Sequence, residues 1–165
     1  VASAVEALRT VYENDQTIFV IGNGGSASNA THFAADFGKN AIPAGRRRVR
    51  ILSLCTNTPA ITALGNDVGF EAIYREQLAA LMRPGDVLIA YSVSGTSRDI
   101  IAAASWAKEH GAIVIGLTGF TGGTLAALSD VSINTSSETY EIVEDMHGIC
   151  SHMFTSSIKA IYSAG

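Results

Sequence analysis

The chain has 165 residues, a formal net charge of −4 and a mean hydropathy of +0.25. This length fits one domain, and a composition of 47% hydrophobic and 16% charged residues excludes a disordered chain. The negative charge argues against a protein that binds nucleic acid through bulk electrostatics.

Five short apolar runs alternate with helix-length segments along the chain. The runs are almost continuously apolar, which is typical of parallel strands buried on both faces. The predicted strands are Thr17–Ile21, Arg50–Leu54, Asp86–Tyr91, Ala112–Leu117 and Asp130–Asn134. The predicted helices are Ser26–Gly38, Phe70–Met82, Ser97–His110, Thr124–Ser129 and Ser137–Tyr162. This alternation predicts an α/β domain with a parallel sheet and helices on both faces.

The stretch between Gly111 and Ser129 is uncharged and has the length of a membrane-spanning helix. It contains five glycines and three threonines, so we expect a buried strand, a loop and a short helix instead. No secretory signal pattern is visible at the start, and Cys55 and Cys150 form no spacing motif. We therefore expect a cytoplasmic protein with no membrane and no nucleic-acid partner.

The first predicted strand ends in the glycine-rich loop Gly22-Asn23-Gly24-Gly25-Ser26. Glycines allow positive φ angles and a close approach of a ligand to the backbone. The helix that follows offers free N–H groups to an anion. The glycine spacing differs from that of a dinucleotide-binding loop, and the lysine of a P-loop is missing. A tight strand-to-helix turn is the alternative interpretation.

The third predicted strand ends in Ser92-Val93-Ser94-Gly95-Thr96-Ser97, which places four hydroxyl groups around one glycine before a helix. Ligands of parallel α/β sheets bind beyond the carboxyl ends of the strands. Hydroxyl and N–H groups at a helix start hold a phosphate without a lysine. Ser97 alone would serve as a helix cap, but a cap needs only one hydroxyl. The two loops together predict a phosphate site.

Histidines and carboxylates on two predicted helices are candidate metal ligands. His32 and Asp36 are four residues apart and share one helix face. Glu144 and His152 are about two turns apart on the last helix, and Asp145 aligns better with His152, so spacing alone does not choose between the two carboxylates. Such a set suits a divalent metal. A packing histidine beside ordinary exposed carboxylates is the alternative.

These motifs, taken in order, resemble the SIS (sugar isomerase) domain family and, within it, the bacterial phosphoheptose isomerases. The motifs that carry the resemblance are Gly22-Asn23-Gly24-Gly25-Ser26, Gly65-Asn66-Asp67, Ser92-Val93-Ser94-Gly95-Thr96-Ser97 and Leu117-Thr118-Gly119. The resemblance implies a single SIS domain over residues 1–165, with a three-layer α/β/α architecture and a five-stranded parallel sheet in flavodoxin-like order. It also implies a homotetramer, and that a further N-terminal helix of the family is missing before Val1.

The resemblance further implies a role for individual residues. The implied contacts to the sugar phosphate are Asn23, Gly24, Gly25, Ser26, Asn66, Asp67, Ser92, Val93, Ser94, Ser97 and Glu144. The implied ligands of a zinc ion are His32, Asp36, Glu144 and His152, and the implied acid–base pair is Asp36 and His152. Asp36 replaces the family's glutamate and Glu144 replaces its glutamine.

The activity implied by the resemblance is a ketose–aldose isomerisation through an enediol. The expected reaction converts sedoheptulose 7-phosphate to D-glycero-D-manno-heptose 7-phosphate. The alternative is a non-catalytic SIS-domain scaffold or regulator that binds phosphosugars, similar to a regulator of replication initiation or to the sugar-sensing domain of a transcription regulator. Scaffolds of this kind lose the catalytic carboxylate and histidine, so the titratable groups at Asp36 and His152 favour an enzyme.

Overall fold

The computed structural model of the chain describes residues 1–163. Five strands form one sheet, and every neighbouring pair runs parallel. The strands are β1 (Thr17–Gly22), β2 (Arg50–Ser53), β3 (Val87–Ser92), β4 (Ile113–Thr118) and β5 (Val131–Asn134). Their spatial order is β2-β1-β3-β4-β5. The predicted α/β class, parallel sheet and flavodoxin-like order are therefore confirmed.

Seven α-helices connect and flank these strands in the described part of the chain. They are α1 (Ala2–Glu13), α2 (Gly25–Asn40), α3 (Thr58–Asp67), α4 (Ile73–Leu81), α5 (Arg98–Glu109), α6 (Gly123–Leu128) and α7 (Tyr140–Ser163). A single turn of 3-10 helix, Phe70–Ala72, precedes α4. The uncharged stretch forms β4, a loop and α6 as predicted, and no helix within residues 1–163 has the length and apolarity to span a membrane.

Helix α3 is absent from the sequence-based prediction because its apolar pattern is weak: Ile61 and Leu64 pack against the core but are only partly buried. None of its residues is buried. Its start is nevertheless encoded locally, since the Asn57 side chain accepts a hydrogen bond from the Ala60 N–H at 3.2 Å and Pro59 lies in the first turn. Local capping rather than burial defines this helix.

The sheet is covered by helices on both faces. Alternate residues of a strand point to opposite faces, so Ile89 and Tyr91 of β3 pack toward α1, α2 and α7. Leu88 and Ala90 of the same strand pack toward α4, α5 and α6. Both sets are fully buried, which explains the continuous apolarity of the strand sequences.

The strand order reverses between β1 and β3. The chain leaves β1 to form the edge strand β2 and then returns to pair β3 with the other side of β1, with Gly22 opposite Tyr91 in register. The loops after β1 and β3 consequently emerge side by side at the carboxyl edge of the sheet. In open α/β sheets this is the usual position of a ligand.

Candidate active site

The loop after β1 leads into α2 through closely packed glycines. A Cβ atom at Gly22 would lie 2.6 Å from the backbone of Ser26, and Gly24 has a φ of 54° that favours glycine. A Cβ atom at Gly25 would collide with the carboxylate of Glu144 from α7. The Glu144 carboxylate therefore lies against the N-terminus of α2, where the helix dipole stabilises a negative charge.

The loop after β3 is pressed against the start of α6. Gly95 has a φ of 65°, and a Cβ atom there would collide with the carbonyl of Gly122. The Leu125 N–H donates to the Gly95 carbonyl at 2.9 Å, and the Gly119 N–H donates to the Val93 carbonyl at 2.8 Å. The hydroxyl-bearing loop is therefore held in one shape by contacts with its neighbours.

The hydroxyl groups of this loop remain available to a ligand. Ser97 is the N-cap residue of α5, yet its side chain makes no capping hydrogen bond in the described structure. The Ser92 hydroxyl lies 3.4 Å from that of Ser97, and the Thr96 hydroxyl donates to that of Ser94 at 3.0 Å. Capping of α5 would need only one hydroxyl group, so it does not explain why this loop carries four.

Both loops contribute to the walls of one small cavity of about 130 Å³. Its lining residues are Asn23, Ser26, Tyr91, Ser92, Val93, Ser94, Ser97, Tyr140 and Glu144. No lysine or arginine is found among these described residues. An anion in this cavity would therefore be held by serine hydroxyls and by the N–H groups at the start of α5.

A larger cavity of about 590 Å³ adjoins the first one at Glu144, which lines both. It is lined by Gly25, Ser28, Asn29, Glu144, Asp145, Gly148, Ile149 and His152. The Asn29 side chain donates to the Glu144 carbonyl at 2.8 Å and so holds α2 against α7. The two cavities together run from the serine loop to His152.

His32, Asp36 and His152 form a group whose potential ligand atoms all lie within 4.8 Å of one another. The imidazole rings of His32 and His152 meet edge to face. Asn40 donates a hydrogen bond of 2.9 Å to the Asp36 carboxylate and so orients it. Two imidazoles and one carboxylate are donors that zinc accepts, so the residues present fit a divalent metal. Glu144 is not a member of this group.

Asn66 and Asp67 lie apart from these cavities. Both are exposed at the end of α3, and the Asn66 amide donates to the Asp67 carboxylate at 2.7 Å. Gly24 lies at an open position, with no atom within 4 Å of where its Cβ would be. The structure thus brings together the predicted residues of the two loops and α7 but leaves Asn66 and Asp67 outside.

Asp99 and Tyr74, to which no sequence motif assigns a role, support the first loop from behind. Asp99 is buried and accepts hydrogen bonds from the Asn23 amide, while the Tyr74 hydroxyl donates to the Gly22 carbonyl. Burial raises the pKa of the Asp99 carboxyl, and the Asn23 hydrogen bond opposes that rise. An aspartate in the first turn of a helix is ordinary in sequence, so no local signal marks it.

Known proteins are similar to this chain in sequence. The SIS domain family model matches residues 1–119. The lincomycin biosynthesis protein LmbN of Streptomyces lincolnensis is 44% identical over 146 residues, which cover 82% of this chain and 53% of LmbN. The phosphoheptose isomerase of Geotalea daltonii is 40% identical over 147 residues, covering 89% of this chain and 76% of that protein.

A solved structure is similar as well. The phosphoheptose isomerase GmhA of Neisseria gonorrhoeae superposes with a TM-score of 0.89 at 36% identity, covering 96% of this chain and 84% of that one. This chain spans about half the length of LmbN and larger shares of the two isomerases. These matches confirm the resemblance predicted from the loop motifs, together with the predicted relationship to an enzyme family of isomerases.

Proposed function

The chain belongs to the SIS domain family, and we propose that it is a ketose–aldose isomerase of sedoheptulose 7-phosphate. The product would be D-glycero-D-manno-heptose 7-phosphate. One observation carries the proposal: a small cavity lined by serine hydroxyls adjoins a larger cavity that reaches the histidine of a His–Asp–His group. The relatives named phosphoheptose isomerase support the choice of a heptose.

The smaller cavity would hold the phosphate group. The hydroxyls of Ser92, Ser94 and Ser97 line it, and α5 begins directly after them with its dipole directed at the site. A phosphate oxygen accepts hydrogen bonds from hydroxyls and backbone N–H groups without needing a positive side chain. The open-chain sugar would then run from the smaller cavity past Glu144 into the larger one, with its carbonyl end toward His152.

Asp36 and His152 would transfer the protons. In the ketose-to-aldose direction, the carboxylate of Asp36 takes a proton from carbon 1 while the His152 imidazole donates a proton to the carbonyl oxygen on carbon 2, which gives an enediol. Asp36 then delivers its proton to carbon 2, and His152 takes the proton of the hydroxyl on carbon 1 as the aldehyde forms, which restores both side chains. The two side chains have atoms within 4.8 Å of each other, which suits a shared substrate.

A divalent metal such as zinc, held by His32, Asp36 and His152, would polarise the carbonyl oxygen of the substrate. Each of these side chains offers one ligand atom, which leaves a second carboxylate oxygen on Asp36 and a second ring nitrogen on His152 for proton transfer. The proposal therefore makes activity sensitive to metal removal.

The exposed face of α7 supports a contact between copies of the chain. Ile142, Met146, Ile149 and Met153 are each between 39% and 52% exposed and follow one helix face at alternating spacings of four and three. A row of exposed large apolar residues is typical of an interaction surface. The proposed assembly is a homotetramer, and the proposed location is the cytoplasm.

The test is incubation of the protein with sedoheptulose 7-phosphate, with and without a chelator, followed by detection of the aldose. Pentulose and hexulose phosphates in parallel reactions measure the preference for chain length. Aldose formation by the protein but not by Asp36→Asn supports the proposal. Tight binding of the sugar phosphate without any aldose at high protein concentration would favour the scaffold alternative.

A further inference from the structure

A buried carboxylate connects the two loops that line the smaller cavity. Asp99 is only 2% exposed and lies in the first turn of α5, directly after the serine loop. Its two carboxylate oxygens lie 3.0 and 2.8 Å from the Nδ2 atom of Asn23, which follows β1. Asp99 is absent from the cavity wall, whereas Asn23 is part of it.

The chemistry of this pair determines which way the Asn23 amide faces. An ionised carboxylate only accepts hydrogen bonds, and an amide has one donating end and one accepting end. Asn23 must therefore turn its Nδ2 atom to Asp99, which leaves its Oδ1 atom as the remaining polar end. Tyr74 lies 3.5 Å from Oδ1, but its hydroxyl donates its one proton to the Gly22 carbonyl. The Oδ1 atom of Asn23 can therefore still accept a hydrogen bond from a ligand.

We infer that Asp99 is a positioning residue that makes Asn23 present an acceptor, its Oδ1 atom, to a hydroxyl of the sugar phosphate. This inference rests on the proposed function, because it needs a ligand with hydroxyl groups. An acceptor repels phosphate oxygens, so Asn23 selects for the sugar portion while the serine loop takes the phosphate. Without the carboxylate, the amide is free to rotate and to present its donor end instead.

The experiment compares two ligands on the same variants by calorimetry. The probes are inorganic phosphate and glucitol 6-phosphate, which carries hydroxyls but has no carbonyl and is not isomerised. In Asp99→Asn the new amide faces Asn23 with either end, so both orientations of Asn23 become available. Two equally populated orientations halve the competent fraction, so we expect the Kd of glucitol 6-phosphate to rise about twofold, and more if the donor end is favoured, while the Kd of phosphate stays unchanged.

A polarity swap provides the second test. In the double variant Asn23→Asp with Asp99→Asn, the carboxylate at position 23 accepts from the amide at position 99 and still presents an oxygen to the cavity. We expect this variant to recover the wild-type ratio of the two dissociation constants, although the charge at position 23 weakens the binding of both ligands. Asn23→Asp alone places two carboxylates together, and we expect it to bind glucitol 6-phosphate more weakly than either the wild type or the double variant.

Asp86→Asn is the matched control. Asp86 is 4% exposed and accepts hydrogen bonds from the backbone N–H groups of Thr17 and Arg83 at 2.8 and 2.7 Å, where β1 and β3 begin. The Asp86→Asn substitution should lower the melting temperature without changing the ratio of the two dissociation constants.

The ratio of the two dissociation constants decides the inference. Two results would overturn it. One is an unchanged ratio in Asp99→Asn, which includes the case in which both ligands bind more weakly by the same factor. The other is a wild type that binds glucitol 6-phosphate no better than phosphate. If the wild type binds glucitol 6-phosphate tightly but isomerises no sugar phosphate, the proposed function fails while the ratio still tests the role of Asp99.

Discussion

The imidazole rings of His32 on α2 and His152 on α7 stand edge to face, with 5.3 Å between their centroids and an interplanar angle of 77°. This contact joins two helices from opposite ends of the chain on one face of the sheet. Asp36 lies one turn beyond His32 and brings its carboxylate to the same place. The three side chains thus bring one potential ligand atom each close enough to share a single metal ion.

The first prediction concerns metal binding by this group. Because each of the three side chains offers one ligand atom, His32→Ala combined with His152→Ala should abolish binding of zinc, which we expect at about one ion per wild-type chain. Metal analysis after dialysis measures the content. His110→Ala is the control, since that histidine is exposed on another helix end and contacts Trp106. Equal zinc content in the double variant and the wild type would contradict the prediction.

The second prediction concerns the serine loop. Removing the hydroxyl in Ser97→Ala should raise the KM for the sugar phosphate about tenfold, because hydrogen bonds to a charged group contribute about 1.5–3 kcal/mol. Thermal stability should hardly change, because this side chain makes no capping bond. Ser105→Ala on the same helix, where the hydroxyl contacts Glu109, is the control. A fall in melting temperature with no change in KM would show that Ser97 is only structural.

The third prediction concerns the fit of the serine loop against α6. Gly95→Ala places a methyl group into the Gly122 carbonyl and also requires an unfavourable φ of 65°. Gly45→Ala imposes the same kind of backbone strain at a φ of 87°, but nothing lies within 4 Å of the new methyl group. Denaturant unfolding should show a loss of about 1 kcal/mol at Gly45 and a clearly larger loss at Gly95. Similar losses at both positions would argue against the close packing.

The fourth prediction concerns the pH dependence of stability. His147 is fully buried, its Nε2 atom bonds to the Thr118 carbonyl at 3.2 Å, and its Nδ1 atom has no partner in the described residues. Burial lowers the pKa of this imidazole in the folded state below 6.5, its value in an unfolded chain. As the pH falls below about 6.5, the unfolded state takes up a proton that the folded state does not, so stability decreases.

His147→Gln removes this titration while retaining a hydrogen-bond donor. The difference in unfolding free energy between the variant and the wild type should therefore shift with pH below about 6.5 and stay constant above it. Contributions from the rest of the chain are the same in both proteins and cancel in that difference. A difference that is independent of pH would mean that His147 titrates in the folded protein as it does in the unfolded chain.

The elements with a strong burial pattern are predictable from the sequence. The strands are predictable because helices cover both of their faces. The proximity of His32 and Asp36 follows from helix geometry alone. Helix α3 is not predictable in the same way, because it has no fully buried residue. The position of Glu144 against Gly25, outside the group of potential metal ligands, depends on how α7 crosses the start of α2. The contact between Asp99 and Asn23 joins positions 76 residues apart, and no local pattern encodes it.

The proposed isomerase activity is tested most directly by an approach to equilibrium from the ketose and from the aldose. The wild type is incubated in one reaction with sedoheptulose 7-phosphate and in another with D-glycero-D-manno-heptose 7-phosphate, and NMR follows both sugars. An isomerase brings the two reactions to the same ratio of ketose to aldose, whereas Asp36→Asn should leave each at its starting composition. If neither wild-type reaction changes although the sugar phosphate binds, the protein is not an isomerase of this substrate.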